Sequence, residues 1–180
     1  MNKANKRGIT LVELICVLAV VAILGAIVGG FMTSAGAQYE NAALHTRAKN
    51  AITTIQTMLE TDLRLADKAV LSTERTTPSP GTKKVFYSNP YNGRIYTSDG
   101  KEDHAVDYLS SMPELYKNLM YEIKFGSDKG SLVTTLTAYS IKGGKFGKKI
   151  HSVTWTMNFL NTTLESSGAD SVALWYTPAT

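Results

Sequence analysis

The sequence predicts an α+β protein: one long amino-terminal helix, its first half long enough to span a membrane, packed against a carboxy-terminal antiparallel β-sheet. Three observations carry this. From Ile9 to Met32 the chain is apolar almost without interruption. From Ala51, the residues Ile52, Ile55, Leu59, Leu63 and Ala66 recur at steps of three and four, the period of one helix face. Beyond Thr76-Thr77-Pro78-Ser79-Pro80-Gly81, which breaks any helix, apolar residues recur at period two instead.

The chain opens with a short basic stretch, residues 1–8, in which Lys3, Lys6 and Arg7 precede Gly8. Ile9–Met32 is then 24 residues in which Thr10 and Glu13 are the clearly polar positions. As a helix it measures about 36 Å at 1.5 Å per residue, more than a bilayer core of roughly 30 Å. A helix is required there, because backbone polar groups in lipid must be satisfied within their own segment. The three cations keep the amino-terminal side cytoplasmic, so everything after the span is expected outside the cytoplasmic membrane. Glu13 stands out, since an acid at the centre of a membrane helix costs about 2.5–3.5 kcal/mol and less near its end. No Lys or Arg lies between Gly8 and Arg47, so the segment itself offers it no counter-ion. Glu13 is therefore either an acid tolerated near a helix end or a group whose partner comes from elsewhere. Gly25 and Gly29, with Ala22, Ala26 and Gly30 in parallel, place small side chains four apart. That spacing fits a close-packing helix face and equally the ordinary Gly and Ala content of membrane helices.

After Met32 the helix is expected to continue, first through Ala-rich residues 33–51 and then along the apolar stripe to about Lys68. Glu60 and Arg64 stand four apart in the favourable order. Residues 69–180 form the globular part. Val85–Tyr87 and Arg94–Thr97 read as short strands, with Asn92-Gly93 suited to a hairpin turn. Residues 98–107 read as a polar loop, and Pro113–Tyr116 as a short helical turn. Leu119–Phe125, Leu132–Ile141 and His151–Leu160 follow as an antiparallel meander, turning at Ser127-Asp128-Lys129-Gly130 and at Gly143-Gly144, with Val172–Tyr176 as the last strand.

The 180 residues suffice for one domain and an anchor. The net charge of +4 invites a nucleic-acid reading, but removal of residues 1–8 leaves 16 basic against 15 acidic residues. The remaining chain is nearly neutral, so global charge gives no nucleic-acid signal. Lys145, Lys148 and Lys149 form a local patch that reads first as a solvated hairpin end and leaves a nucleic-acid partner open. The single cysteine, Cys16, lies in the apolar segment, so the exterior part holds no internal disulfide. His45, His104 and His151 fit no metal-ligand spacing. Asp99-Gly100-Lys101-Glu102-Asp103-His104 lacks the register of a calcium loop. Ser98-Asp99-Gly100-Lys101 matches S-x-x-K without its companion elements, and Asn161-Thr162-Thr163 matches a glycosylation sequon. No metal, no cofactor and no enzymatic activity is expected.

The block Lys6-Arg7-Gly8-Ile9-Thr10-Leu11-Val12-Glu13, followed by the apolar run, resembles the processing and assembly motif of type IV prepilins and pseudopilins. The resemblance covers Arg7 to about Phe31. It implies a prepilin leader of residues 1–8, cut after Gly8 by a peptidase that also methylates the new amino group at Ile9. It implies that this amine, still a cation, is drawn to Glu13 of a neighbouring subunit, so that cleavage creates the charge Glu13 lacks. The implied partners are other pilin subunits, the peptidase/methyltransferase, an inner-membrane assembly platform, and the membrane before assembly. Two features depart from many pilins: the helix holds no proline, its place being taken by Gly29-Gly30, which would allow local melting, and there is no carboxy-terminal disulfide. Asp62-Leu63-Arg64 also resembles a stretch of some minor pilins and J-type pseudopilins.

The expected architecture is thus residues 1–8 as leader, 9–32 as membrane and filament-core helix, 33–68 as its amphipathic continuation, and 69–180 as the β-rich domain. Two rivals remain. One is a secreted protein cut after Ala37 of Ala35-Gly36-Ala37, against which stand an apolar run far longer than the roughly 7–15 residues of a signal peptide and the presence of Glu13. The other is a permanently anchored binding domain.

Overall fold

The computed structural model describes residues 10–75, 82–99, 105–166 and 171–178. Gly8, Ile9 and the Thr76–Gly81 break lie outside the described residues. The chain divides into two units, Met1–Ala43 and Leu44–Thr180, and one helix, α1 (Leu11–Arg64), runs from the first into the second.

In the second unit α1 turns one face inward: Ala48, Ala51, Ile52, Ile55, Leu59 and Leu63 are all buried. Among the described residues nine strands follow: β1 (Lys68–Ser72), β2 (Lys84–Ser88), β3 (Ile95–Ser98), β4 (Val106–Asp107), β5 (Leu119–Asp128), β6 (Ser131–Lys142), β7 (Lys145–Met157), β8 (Leu164–Ser166) and β9 (Ala173–Thr177). A 3₁₀ turn spans Pro113–Tyr116. The fold is α+β as expected, but the strands form two sheets rather than one. The larger has the order β4-β3-β2-β9-β1-β8, and the smaller is the meander β5-β6-β7. Among the described residues every pairing is antiparallel except β1 with β8. The last strand, β9, returns to insert between β1 and β2, which is why all five of its residues are buried. The core joins the helix stripe to Leu71, Phe86, Ile95, Tyr121, Ile123, Leu132, Leu136, Leu174 and Tyr176 from the sheets. Burial of each such large side chain stabilises the unit by about 1.5–3 kcal/mol. Trp175, fully buried on the other face of the larger sheet with Val85 and Ala173, donates its indole N–H to Glu74 O at 3.1 Å.

The helix stops at Arg64, short of the expected Lys68, and Lys68 already belongs to β1. Ala66 and Ala69 continue the apolar spacing of the helix face, so periodicity alone carries the helix past its end. What ends it is a distant segment: Leu160 N–H donates to Arg64 O at 3.0 Å, and Asn161 Nδ2 to Leu65 O at 3.2 Å. These bonds satisfy carbonyls that no further turn could reach.

Residues 98–107, expected as loop, end in β4, and Asp107 is a hub. Its Oδ2 pairs with Arg94 Nη1 at 2.7 Å, while Oδ1 accepts from Tyr116 OH at 2.8 Å and from Leu109 N at 3.0 Å. Tyr116 OH in turn accepts from Ile95 N at 3.0 Å, and the Arg94 guanidinium lies 5.0 Å from the Tyr116 ring centroid. Tyr108 OH reaches Asp62 Oδ2 of α1 at 2.7 Å.

The β2–β3 connection shows why Asn92-Gly93 is there. Gly93 has φ +61°, and a Cβ on it would overlap that of Met120 and stand 2.7 Å from Met120 Cγ. Its carbonyl accepts from Tyr121 N at 2.8 Å, so the loop lies directly on β5. Gly93→Ala is expected to destabilise the protein by about 3 kcal/mol, from left-handed strain plus overpacking. Urea unfolding in detergent measures this, and an unchanged midpoint would refute the close approach.

Candidate functional site

The residues singled out by the sequence gather in the first unit, where α1 is built for contact rather than for an internal core. Thr10 stands at its head: Thr10 O accepts from Leu14 N at 3.1 Å, and Thr10 Oγ1 accepts from Glu13 N at 3.3 Å. Thr10-Leu11-Val12-Glu13 is thus a capping-box sequence with its first hydrogen bond formed, and Glu13 lies where an acid favours the helix dipole. Thr and Glu three residues apart before an apolar run is the readable sign of such a cap.

Every residue from Thr10 to Gly36 is exposed. Leu11 is 76% exposed and Ile27 62%, and the helix holds an 18-residue window of mean hydropathy 3.0. By length and composition it can cross a membrane. Nothing lies within 4 Å of where a Cβ would stand on Gly25, Gly29 or Gly30, so no contact within the chain calls for glycine there. With Ala22 and Ala26 they leave a low ridge open to a neighbour. The helix does not melt at Gly29-Gly30: it runs through them unbroken, and Thr33 Oγ1 donates back to Gly29 O at 3.2 Å and Gly30 O at 2.9 Å. Glu13 makes no ion pair with any described residue. Cys16 is exposed on the same helix.

The other candidates are not brought together. Among the described residues no group of three His, Cys, Asp or Glu could hold a metal ion, and His104, with Gly100–Asp103, lies outside them. Ser98 of the S-x-x-K match is buried in β3. Asn161 of the sequon is engaged with the end of α1. Of the tyrosines, Tyr116, Tyr121 and Tyr176 are core residues, whereas Tyr39 and Tyr91 stand in solvent. Lys145, Lys148 and Lys149 lie along β7, all exposed.

Residues 3–29 match the prokaryotic N-terminal methylation motif. The match bears out the resemblance to type IV pilins and pseudopilins, whose members are structural subunits. No curated protein and no solved structure matches the chain.

Proposed function

We propose that this chain, whose amino terminus carries the pilin-type methylation motif, is a non-enzymatic subunit of a type IV pilus-like filament. The precursor sits in the cytoplasmic membrane with residues 1–8 inside and the Ile9–Met32 helix across the bilayer. The peptidase/methyltransferase cuts after Gly8 and methylates Ile9. The assembly platform then draws the subunit into a surface filament, where Ile9–Met32 helices pack against one another. Ala22, Gly25, Ala26, Gly29 and Gly30 let neighbouring backbones approach. Glu13 meets the methylated amine of the next subunit and sets the register.

One observation carries this reading. The helix opens on an acid without a described cation and then exposes apolar side chains without interruption to Met32. Such a surface cannot stay in water at about 25 cal/mol per Å². Lipid satisfies the apolar part, but the acid calls for a cation, and cleavage after Gly8 would create one four residues away.

The mature amino terminus tests it, by intact mass and peptide sequencing of membrane and sheared-surface fractions. A methylated Ile9 is the expected result. A start at Gln38 would establish the secreted protein instead, and an uncut Met1 in the presence of the peptidase the permanent anchor.

A further inference from the structure

The outer end of the β6–β7 hairpin collects charge of one sign. From Ser131 to Leu164 the sequence holds four lysines and no acid. Lys142, Lys145, Lys148 and Lys149 are exposed and make no ion pair among the described residues. Lys142 pairs with Lys145 across Gly143-Gly144, whose φ values of 58° and 74° make the tight turn. The ladder then shifts register twice: Ile141 faces Phe146, Tyr139 faces Lys149, and Ala138 faces His151. The first shift is a close fit, because a Cβ on Gly147 would lie 2.8 Å from Ser140 O, and Ser140 Oγ accepts from Lys148 N at 3.0 Å. These bulges re-aim the strand so that the consecutive Lys148 and Lys149 both stay in solvent.

Pro90 and Tyr91 of the β2–β3 loop face Gly144, Lys145 and Phe146 across a concavity of about 430 Å³. Tyr91 is 85% exposed, yet its loop is firmly held. Asn89 Oδ1 accepts from Tyr91 N at 2.8 Å, Asn89 N donates to Arg94 O at 2.8 Å, and Gly93 sits against Met120. Phe146 is fixed edge-on to Tyr139 with ring centroids 5.2 Å apart. A ring this exposed adds nothing to the core. Held by an ordered loop beside unpaired cations, it has the character of a binding surface.

We propose that this surface binds an acidic polysaccharide, a sugar ring lying on Tyr91 within the concavity and carboxylate or sulfate groups meeting the lysines of the hairpin. Charge spacing and side-chain type select the polymer. Lys145 and the Lys148–Lys149 pair are roughly 10 Å apart at about 3.3 Å per strand residue. That suits a chain with one charge per sugar or two, sparser than the phosphates of a nucleic acid. The patch is all lysine, without the planar guanidinium fork that favours phosphates and bases. The apolar C–H face of a pyranose matches an exposed tyrosine ring, and the concavity is the size of a small-ligand site.

The test uses the full chain in detergent and measures affinity for heparin and polygalacturonate, with dextran and single- and double-stranded DNA beside them, so it does not depend on the filament reading. Both acidic glycans are expected to bind, more weakly as salt rises, and dextran not at all. Combined Lys145→Gln, Lys148→Gln and Lys149→Gln should weaken binding about tenfold, and Tyr91→Ala about fivefold. Lys117→Gln with Lys129→Gln should leave it unchanged, and all variants should keep the wild-type melting temperature. Equal binding to dextran, tighter binding to DNA than to either glycan, an equal loss in the Lys117/Lys129 variant, or no loss in the hairpin and Tyr91 variants would each overturn the proposal.

Discussion

Glu13→Gln is expected to leave the precursor cut after Gly8 and methylated at Ile9 while reducing sheared filaments about a hundredfold. The substitution separates the two roles the structure allows this residue. Within its own helix, Glu13 is the fourth residue of a Thr-x-x-Glu capping box and its N–H bonds Thr10 Oγ1. Gln serves that position nearly as well, and the lost dipole interaction is worth only about 0.3–1 kcal/mol. In the proposed filament the position changes character. An acid brought beside a methylated amine in an apolar filament core is a buried ion pair, and removal of one partner strands the other at a cost of about 3–5 kcal/mol. At 1.4 kcal/mol per tenfold, even the lower bound is about two orders of magnitude. Thr10→Ala is the counterpart: it removes the cap bond and keeps the charge, so it should cost about 1 kcal/mol and spare most assembly. Filament yield on immunoblots of sheared fractions, with processing read from the cell-bound protein, decides between the roles. Wild-type filament levels in Glu13→Gln would assign the acid to its own helix and remove the register mechanism.

The parts legible in the sequence are those in which one element's pattern is set by one environment. The apolar run to Met32 reads plainly because all of its sides face the same surroundings, and Ile52–Leu63 because one face alone is buried. Lys145, Lys148 and Lys149 could be read as a charged hairpin end for the same reason. The unread parts depend on distant partners. β1 escaped because Ala66 and Ala69 keep the helical spacing, while the bonds that end α1 come from Leu160 and Asn161, nearly a hundred residues on. From the sequence β9 reads only as the last strand, whereas it lies at the centre of the larger of two sheets, paired on both sides. Asp107 looked like a loop acid because the groups that engage it, Arg94 and Tyr116, come from either side of it in the chain. For the candidate site, residue types and spacing were readable around Glu13, but the Thr10 cap gives the same acid a local role that charge counting does not reveal.

The second unit should unfold steeply on alkaline titration, because its buried tyrosines must stay protonated to remain folded. Burial raises the phenol of Tyr176 to about 12, with Asp62 adding to the shift. Burial likewise pushes up Tyr108, reinforced by its hydrogen bond to Asp62. It does the same for Tyr116, reinforced by Asp107 although the Ile95 N–H and Arg94 oppose it. Tyr121 is raised by burial against an opposing effect of Arg47, its OH held by Leu115 O at 2.6 Å. In the unfolded chain all four titrate near the ordinary value of about 10. Below that pH both states carry the proton and stability does not change. Above it the unfolded chain releases protons that the folded one keeps, so stability falls with rising pH until the native phenols ionise. Each group contributes up to about 1.4 kcal/mol per pH unit in that window. With the half-buried Tyr108 discounted for solvent screening, the loss is about 4 kcal/mol at pH 11, a large share of the 5–15 kcal/mol typical of a folded domain. Melting temperature followed between pH 8 and 11.5 should therefore be flat to about pH 10 and then drop. Tyr121→Phe should reduce that drop by about a third, while lowering stability at pH 8 by about 1 kcal/mol for the lost hydrogen bond. A melting temperature unchanged through pH 11, or an identical drop in Tyr121→Phe, would mean that these phenols ionise as freely in the folded protein as in the unfolded chain.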